Sequence, residues 1–283
     1  MKLSIIVLRW TCIFLFVPFL TKGQLSDTLC NEGNHDLALV YYEKDVFEAS
    51  NQNARNIALL KKAYCYKHQK EFKEAASTIG RAYPQASNDS LKYLLGYEAS
   101  LCHYLAESFS QAKLSLIGLR NVQQSAFQKK KTSYLGALIN LEMSQWEEAK
   151  NLSLQISSSP IYQDSVKSLY TELAGLKLKD PSKAETLSYF IPGSGQMYAG
   201  KVFRGITSLV LQTGLLGFAG YSFLNGYYFS GTFTGVSLFY VFYMGGARHA
   251  EYLAQEYNKN KIAKVQDKIE LFLLEGIKKE ASL

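Results

Sequence analysis

Four short stretches of this chain align without gaps: "HDLA" at 35–38, "FKEA" at 72–75, "FSQA" at 109–112 and "WEEA" at 146–149. Their alanines, Ala38, Ala75, Ala112 and Ala149, are spaced 37 residues apart, and a ring stands three residues before each: His35, Phe72, Phe109 and Trp146. Twelve residues before the last three alanines sit Ala63, Ser100 and Ala137, again small. Self-similarity at such a period restricts the chain to stacked copies of one supersecondary unit.

The unit reads as two helices. "RNIALLKKAYCYKHQ" and "KYLLGYEASLCHYLAE" carry apolar residues at helical spacing, and a polar break precedes the second helix of each pair. Small residues let two helix backbones approach, while the ring fills the gap between them. One pair cannot bury its own apolar face. Four pairs and a following half-unit over 165–179 can, as in a solenoid. Alternation of period two, which an all-β fold requires, is absent from this region.

The small position, the ring and the alanine three residues later resemble the tetratricopeptide repeat family over 24–160. The chain departs from that family in its period of 37 rather than 34, in a truncated first repeat and in lacking the usual early Trp. The resemblance implies that the first helix of each pair lines a binding face. That face would carry Leu60, Tyr64 and Lys67, then Tyr97, Leu101 and Tyr104, then Tyr134, Leu138 and Leu141. Aromatic surfaces of this kind suit a protein or peptide partner, and the expected partner-binding residues are Leu60, Tyr64, Lys67, Tyr97, Tyr104 and Tyr134. The competing reading makes many of these tyrosines core. Leu60 and Tyr64 stand where carboxylate-clamp relatives use Lys and Asn, so recognition of a C-terminal carboxylate is not expected.

A second feature is "FIPGSGQMYAGKVFRG" at 190–205. Gly195 to Lys201 reads G-x-x-x-x-G-K, a phosphate-binding loop without its final position. Such a loop needs a strand before it and Ser or Thr after the Lys. Here Val202 follows Lys201, "PSKAETLSYF" upstream reads as a helix opened by Pro181, and positions 205–247 hold no charged residue or histidine to place a magnesium ion. The nucleotide reading therefore fails.

The uncharged run itself divides at Asn225-Gly226, a strong turn pair. Residues 206–224 and 227–245 are each long enough, at about 1.5 Å per residue, to cross a hydrocarbon layer about 30 Å thick. This predicts a two-helix membrane hairpin packed through Gly217 and Gly220 on one arm and Gly231 and Gly235 on the other. A buried soluble hairpin is the alternative. The motif P-G-x-G-Q-x-Y-x-G, carried by Pro192, Gly193, Gly195, Gln196, Tyr198 and Gly200 and followed by Gly205, resembles the start of the two-transmembrane-helix domain family and related bacterial envelope proteins. That resemblance covers about 60 residues and implies a membrane module, with those six residues as its turn.

The first 23 residues contain three of the 31 basic residues, Lys2, Arg9 and Lys22, and no acid. With the apolar stretch 12–20 they read as a secretory signal, or as an uncleaved anchor helix. Both export the remainder of the chain. Cys30, Cys65 and Cys102 remain, too few for a full disulfide framework and without a C-x-x-C pair. The four histidines have no ligand-like spacing, His35 filling the ring slot of the first repeat. No nucleophile motif is present, and Lys and Glu are interspersed, which gives no nucleic-acid patch despite a net charge of +7. After Arg248 a tail with Ile262, Val265, Ile269 and Phe272 on one stripe reads as an amphipathic helix. It could lie on the membrane, return to the repeats or pair with another chain.

The expected organisation is thus all-α: a signal over 1–23, helical-hairpin repeats over 24–160, capping helices over 161–189, a membrane hairpin module over 190–248 and a helical tail over 249–283. The expected function is a non-enzymatic envelope scaffold or adaptor, tethered in the inner membrane with its repeats on the periplasmic side. It would bind a protein partner and lipid, without nucleic acid, metal or cofactor. A second copy of the chain is a further partner that the hairpin could recruit. The alternative is an accessory subunit of a membrane transport or secretion assembly, using the glycine-rich hairpin.

Overall fold

The structure, a computed structural model, describes residues 24–281, so the expected leader over 1–23 lies outside the described residues. Every regular element among the described residues is helical. The chain forms two compact units, divided between Ser157 and Ser158.

The first unit contains α1 (Gln24–Asn31), α2 (His35–Phe47), α3 (Gln52–His68), α4 (Phe72–Ala82), α5 (Asp89–Leu105), α6 (Phe109–Ile117), α7 (Ala126–Glu142) and α8 (Trp146–Leu154). The ring of each aligned stretch is the first residue of α2, α4, α6 and α8, and each repeat alanine is fully buried. The preceding turn is the same four times over. Gly33, Lys70, Glu107 and Ser144 have φ of 85°, 63°, 57° and 57°. The next N–H, from Asn34, Glu71, Ser108 and Gln145, donates to the carbonyl five residues back at 2.9, 3.0, 2.9 and 2.8 Å. This closure satisfies the last carbonyls of the first helix and aims the ring of the second. At the other end of the pair, Asn51, Asn88 and Ser125 cap α3, α5 and α7, accepting from the N–H groups of Ala54, Leu91 and Gln128. These caps are also 37 apart. The small positions meet the alanines: Ser100 Oγ donates to the carbonyl of Ala112 at 2.8 Å, joining α5 to α6.

Three of the four turns place a residue other than glycine in the left-handed region, which costs an L-residue about 1–2 kcal/mol. Glu107 is exposed there. Glu107→Gly is expected to stabilise the protein by about 1 kcal/mol after the greater unfolded-state freedom of glycine is deducted. Thermal unfolding should show a melting temperature raised by about 2–4 °C. A lower one would mean that the side chain, not the turn, stabilises this position.

The second unit contains α9 (Pro160–Ala174), α10 (Pro181–Phe190), α11 (Ser194–Tyr198), α12 (Val202–Leu224), α13 (Tyr228–Ser230), a π-helical stretch (Gly231–Val236) and α14 (Ser237–Ala281). Asn225-Gly226 makes the expected turn. Gly226 has φ of 79°, and Tyr227 N–H donates to the Ser222 carbonyl at 2.8 Å. Of the described helices only α12, 23 residues with mean hydropathy 1.3, is long and apolar enough to cross a membrane. The second arm differs from expectation. It does not end near Gly245 but continues as α14 for 45 residues to Ala281, about 68 Å. Nothing at 245–248 stops it: paired glycines weaken a helix without breaking it as Pro would. The expected tail is therefore the distal part of that helix. Its stripe faces its own unit, with Val265, Ile269 and Leu273 buried, Phe272 stacked on Tyr162 at 5.1 Å and Lys268 bonded to Glu172 at 2.7 Å. Residues 161–189, expected to cap the repeats, lie in the second unit.

Candidate functional site

On the first unit, the face expected from α3, α5 and α7 is partly core. Leu60, Leu138 and Leu141 are buried, whereas Tyr64, Lys67, Tyr97, Leu101, Tyr104 and Tyr134 are half-buried. Tyr97 stacks on Tyr93 at 5.9 Å, and Tyr104 meets Phe109 at 5.8 Å. Lys67 lies 5.1 Å over the Tyr64 ring and pairs with Glu98 at 2.6 Å, a contact between consecutive repeats. Burial, then the neighbouring Glu98 carboxylate, pushes the Tyr64 phenol up to about 12, and burial raises Tyr97 as well. These hydroxyls therefore stay protonated. The face offers ring edges and neutral donors, with its lysine charge neutralised.

On the second unit, the P-G-x-G-Q-x-Y-x-G stretch ties four helices together. The helix α10 precedes it and residues 194–198 are helical, so no phosphate cradle forms around Lys201. Gly193 has φ of 88° and lies so close to Gly205 that a Cβ would enter the Gly205 carbonyl. A Cβ on Gly195 would enter the carbonyl oxygen of Ala184. The Gly195 N–H donates to Ser188 Oγ at 3.1 Å. Gln196, buried, donates through Nε2 to the Gly246 carbonyl at 2.9 Å and accepts through Oε1 from Ser188 Oγ at 3.4 Å. Tyr198 Oη accepts from the Asp180 N–H at 3.2 Å, beneath the ammonium of Lys179 at 4.8 Å from its ring. Gly200, with φ of 87°, closes α11 through the Lys201 N–H to Gln196 carbonyl bond at 2.9 Å. Pro192 is half-buried in the turn before Gly193.

Beyond this knot the helices α12, α13 and the start of α14 are apolar outside and polar or small inside. Phe203, Val210, Leu224, Phe229, Phe233 and Val241 are exposed, while Gly205, Gln212, Ala219, Ser222, Gly231 and Gly235 are buried. Gly231 and Gly235 lie on the contact between the arms, where they meet Ala219 and Ser222. Gly217 and Gly220 have open space around them instead. Glycine spacing along the chain does not determine which side of a helix faces its neighbour; packing against that neighbour does. Gln212 donates through Nε2 to Ser208 Oγ at 2.9 Å, and its Oε1 has no partner among the described residues.

Three residues not connected by the sequence also meet in the first unit. The Nδ1 of His35 stands 3.8 Å from Cys30 Sγ and 3.6 Å from Cys65 Sγ. Burial, and then the adjacent Cys30, pushes the Cys65 thiol up to about 12. Cys102, one repeat later, is buried but has no such partner group among the described residues. Separations of five and thirty residues carry no recognisable motif. The one available signal was a histidine in a ring slot occupied elsewhere by Phe or Trp.

Together these features define, among the described residues, an all-helical protein with an array of helical hairpins, a glycine-rich four-helix knot and one helix long and apolar enough to cross a membrane. No protein-family model, curated protein or solved structure matches the chain.

Proposed function

We propose that this protein is a membrane-tethered, non-catalytic scaffold whose helical repeats hold a protein partner. One observation carries the reading: the inverted polarity of residues 202–242, with apolar side chains outward and Gln212, Ser222, Gly205, Gly231 and Gly235 inward. A soluble hairpin gains its stability by burying such side chains, whereas a lipid-facing hairpin presents them and satisfies its backbone internally. In this reading α12 and the first part of the second arm cross the membrane, with Lys201, Arg204 and Arg248 at their ends. The leader-like start of the chain supports placing the repeats on the periplasmic side of an inner membrane. The half-buried rings of Tyr64, Tyr97, Tyr104 and Tyr134 support a partner surface along α3, α5 and α7.

The full-length chain should remain in the membrane pellet through carbonate washing. Val210→Arg, on the exposed side of α12, costs about 2.5–3.5 kcal/mol of insertion at mid-span and should release a measurable fraction. Extraction of the unaltered chain by carbonate would end the tether reading. For the partner, a photo-crosslinker at Tyr97 in cells should give one discrete adduct that Tyr64→Ala with Tyr104→Ala removes. No adduct, or one indifferent to those changes, would end the scaffold reading. A second reading, an accessory subunit of a transport or secretion assembly, is favoured by the Oε1 of Gln212 inside the apolar arm, which has no partner among the described residues, since intramembrane polar groups usually serve function. Loss of assembly in Gln212→Leu with the tyrosine variants unaffected would favour it.

A further inference from the structure

We propose that Cys30, His35 and Cys65 form a structural zinc(II) site that fastens α1 and α2 to α3. The Sγ, Nδ1 and Sγ atoms all lie within 4.8 Å of one another. Zinc holds thiolate sulfur at about 2.3 Å and imidazole nitrogen at about 2.0 Å; at trigonal to tetrahedral angles this sets each S···N separation to about 3.5–3.7 Å. The observed separations are 3.6 and 3.8 Å, so an ion enters without repacking the helices. Both sulfurs approach one nitrogen, the arrangement in which a single ion satisfies all three donors.

Charge selects the metal. Soft thiolate ligands favour zinc(II) or copper(I). Two thiolates and a neutral imidazole balance zinc(II), whereas copper(I) would leave a net negative charge in a site whose two cysteines are buried, which is costly without a counter-charge. The three protein donors leave one of zinc's four tetrahedral positions to a non-protein ligand such as water. The ring plane of His35 is held by stacking on His68, with centroids 6.2 Å apart and planes 7° apart. The local architecture has a use for the ion. The helix α1 has eight residues and belongs to a truncated repeat, and a helix that short is marginal without tertiary support. Cys30 sits at its end, His35 opens α2 and Cys65 lies in the last turn of α3, so one ion joins three elements.

The test uses the full-length chain in detergent, carrying Cys12→Ser so that only the three described cysteines remain, fully reduced and metal-free. Cobalt(II) serves as the spectroscopic probe, followed by displacement with zinc(II). One cobalt per chain should give a thiolate-to-metal absorption band in the near ultraviolet, abolished by one equivalent of zinc. Because even outer-shell changes weaken metal sites by about 10–100-fold, Cys30→Ser and Cys65→Ser should each weaken binding by about 100-fold or more, and His35→Gln by at least about 10-fold. Cys102→Ser should bind as the parent does. Circular dichroism on each variant separates loss of ligand from loss of fold, and Cys30→Ser, at the edge of the first repeat, keeps the test decisive if Cys65→Ser does not fold. The proposal is overturned if the folded parent takes up neither ion, if it binds copper(I) but not zinc(II), if His35→Gln binds undiminished, or if, on exposure to air, dioxygen oxidises Cys30 and Cys65 of the zinc-mixed parent to a disulfide as fast as those of the metal-free parent.

Discussion

Gly195→Ala should destabilise the second unit by about 3 kcal/mol or more, the upper range for overpacking, because its new Cβ would overlap the Ala184 backbone carbonyl oxygen and the Ser188 hydroxyl. A flexible side chain could move aside; a helix carbonyl cannot without displacing α10. Movement of α10 would also break the Gly195 N–H to Ser188 bond and disturb Ser188 as a donor to Gln196. Gln196 would then lose part of the network that holds it to Gly246 on α14. The informative comparison is Gly214→Ala on α12, where a Cβ meets nothing within 4 Å. There the exchange should be neutral or should gain up to about 1 kcal/mol of helix propensity. Thermal unfolding of the full-length chain in detergent should separate the two variants clearly. Equal melting temperatures would show that the knot does not hold these four helices.

Ile79→Ala should cost the first unit about 2–5 kcal/mol. Ile79 is fully buried in a cluster that includes Val46 of α2, Leu59 and Ala63 of α3, Ala75 of its own α4 and Leu95 and Cys102 of α5. The cavity therefore opens in a core that the α3–α4 hairpin shares with α2 before it and α5 after it. In an array where each unit contacts only its neighbours, a weakened junction lowers the stability of both sides. The expected result is a lower midpoint in denaturant and faster amide exchange in α3 and α5 as well as α4. Exchange confined to α4 would mean that the hairpins do not share a core.

Much of the first unit was legible in its sequence because repetition converts one local rule into four observations. Ala38, Ala75, Ala112 and Ala149 could be placed at helix contacts from spacing alone, and all four are fully buried. The left-handed turn at positions 33, 70, 107 and 144 was not legible, because Gly, Lys, Glu and Ser share no chemistry that announces positive φ. It arises from two helices that must reverse direction within a fixed number of residues. The inward or outward placement of Leu60 and Tyr64 was equally hidden, since helical periodicity defines a face but not the neighbour that covers it.

In the second unit the sequence by itself determined an uncharged run, its turn at Asn225-Gly226 and a glycine-rich motif, since charge, turn chemistry and backbone freedom are local properties. Tertiary packing settled the rest. Gly193 and Gly195 are needed because the backbones of Gly205 and Ala184 lie against them. Ala219, not Gly220, became the contact for Gly235 because rotation about a helix axis is set by the partner helix. The same reason brought Cys30, His35 and Cys65 to one point. A ligand set drawn from three helices exists only after those helices pack, and no spacing along the chain encodes the distance between them.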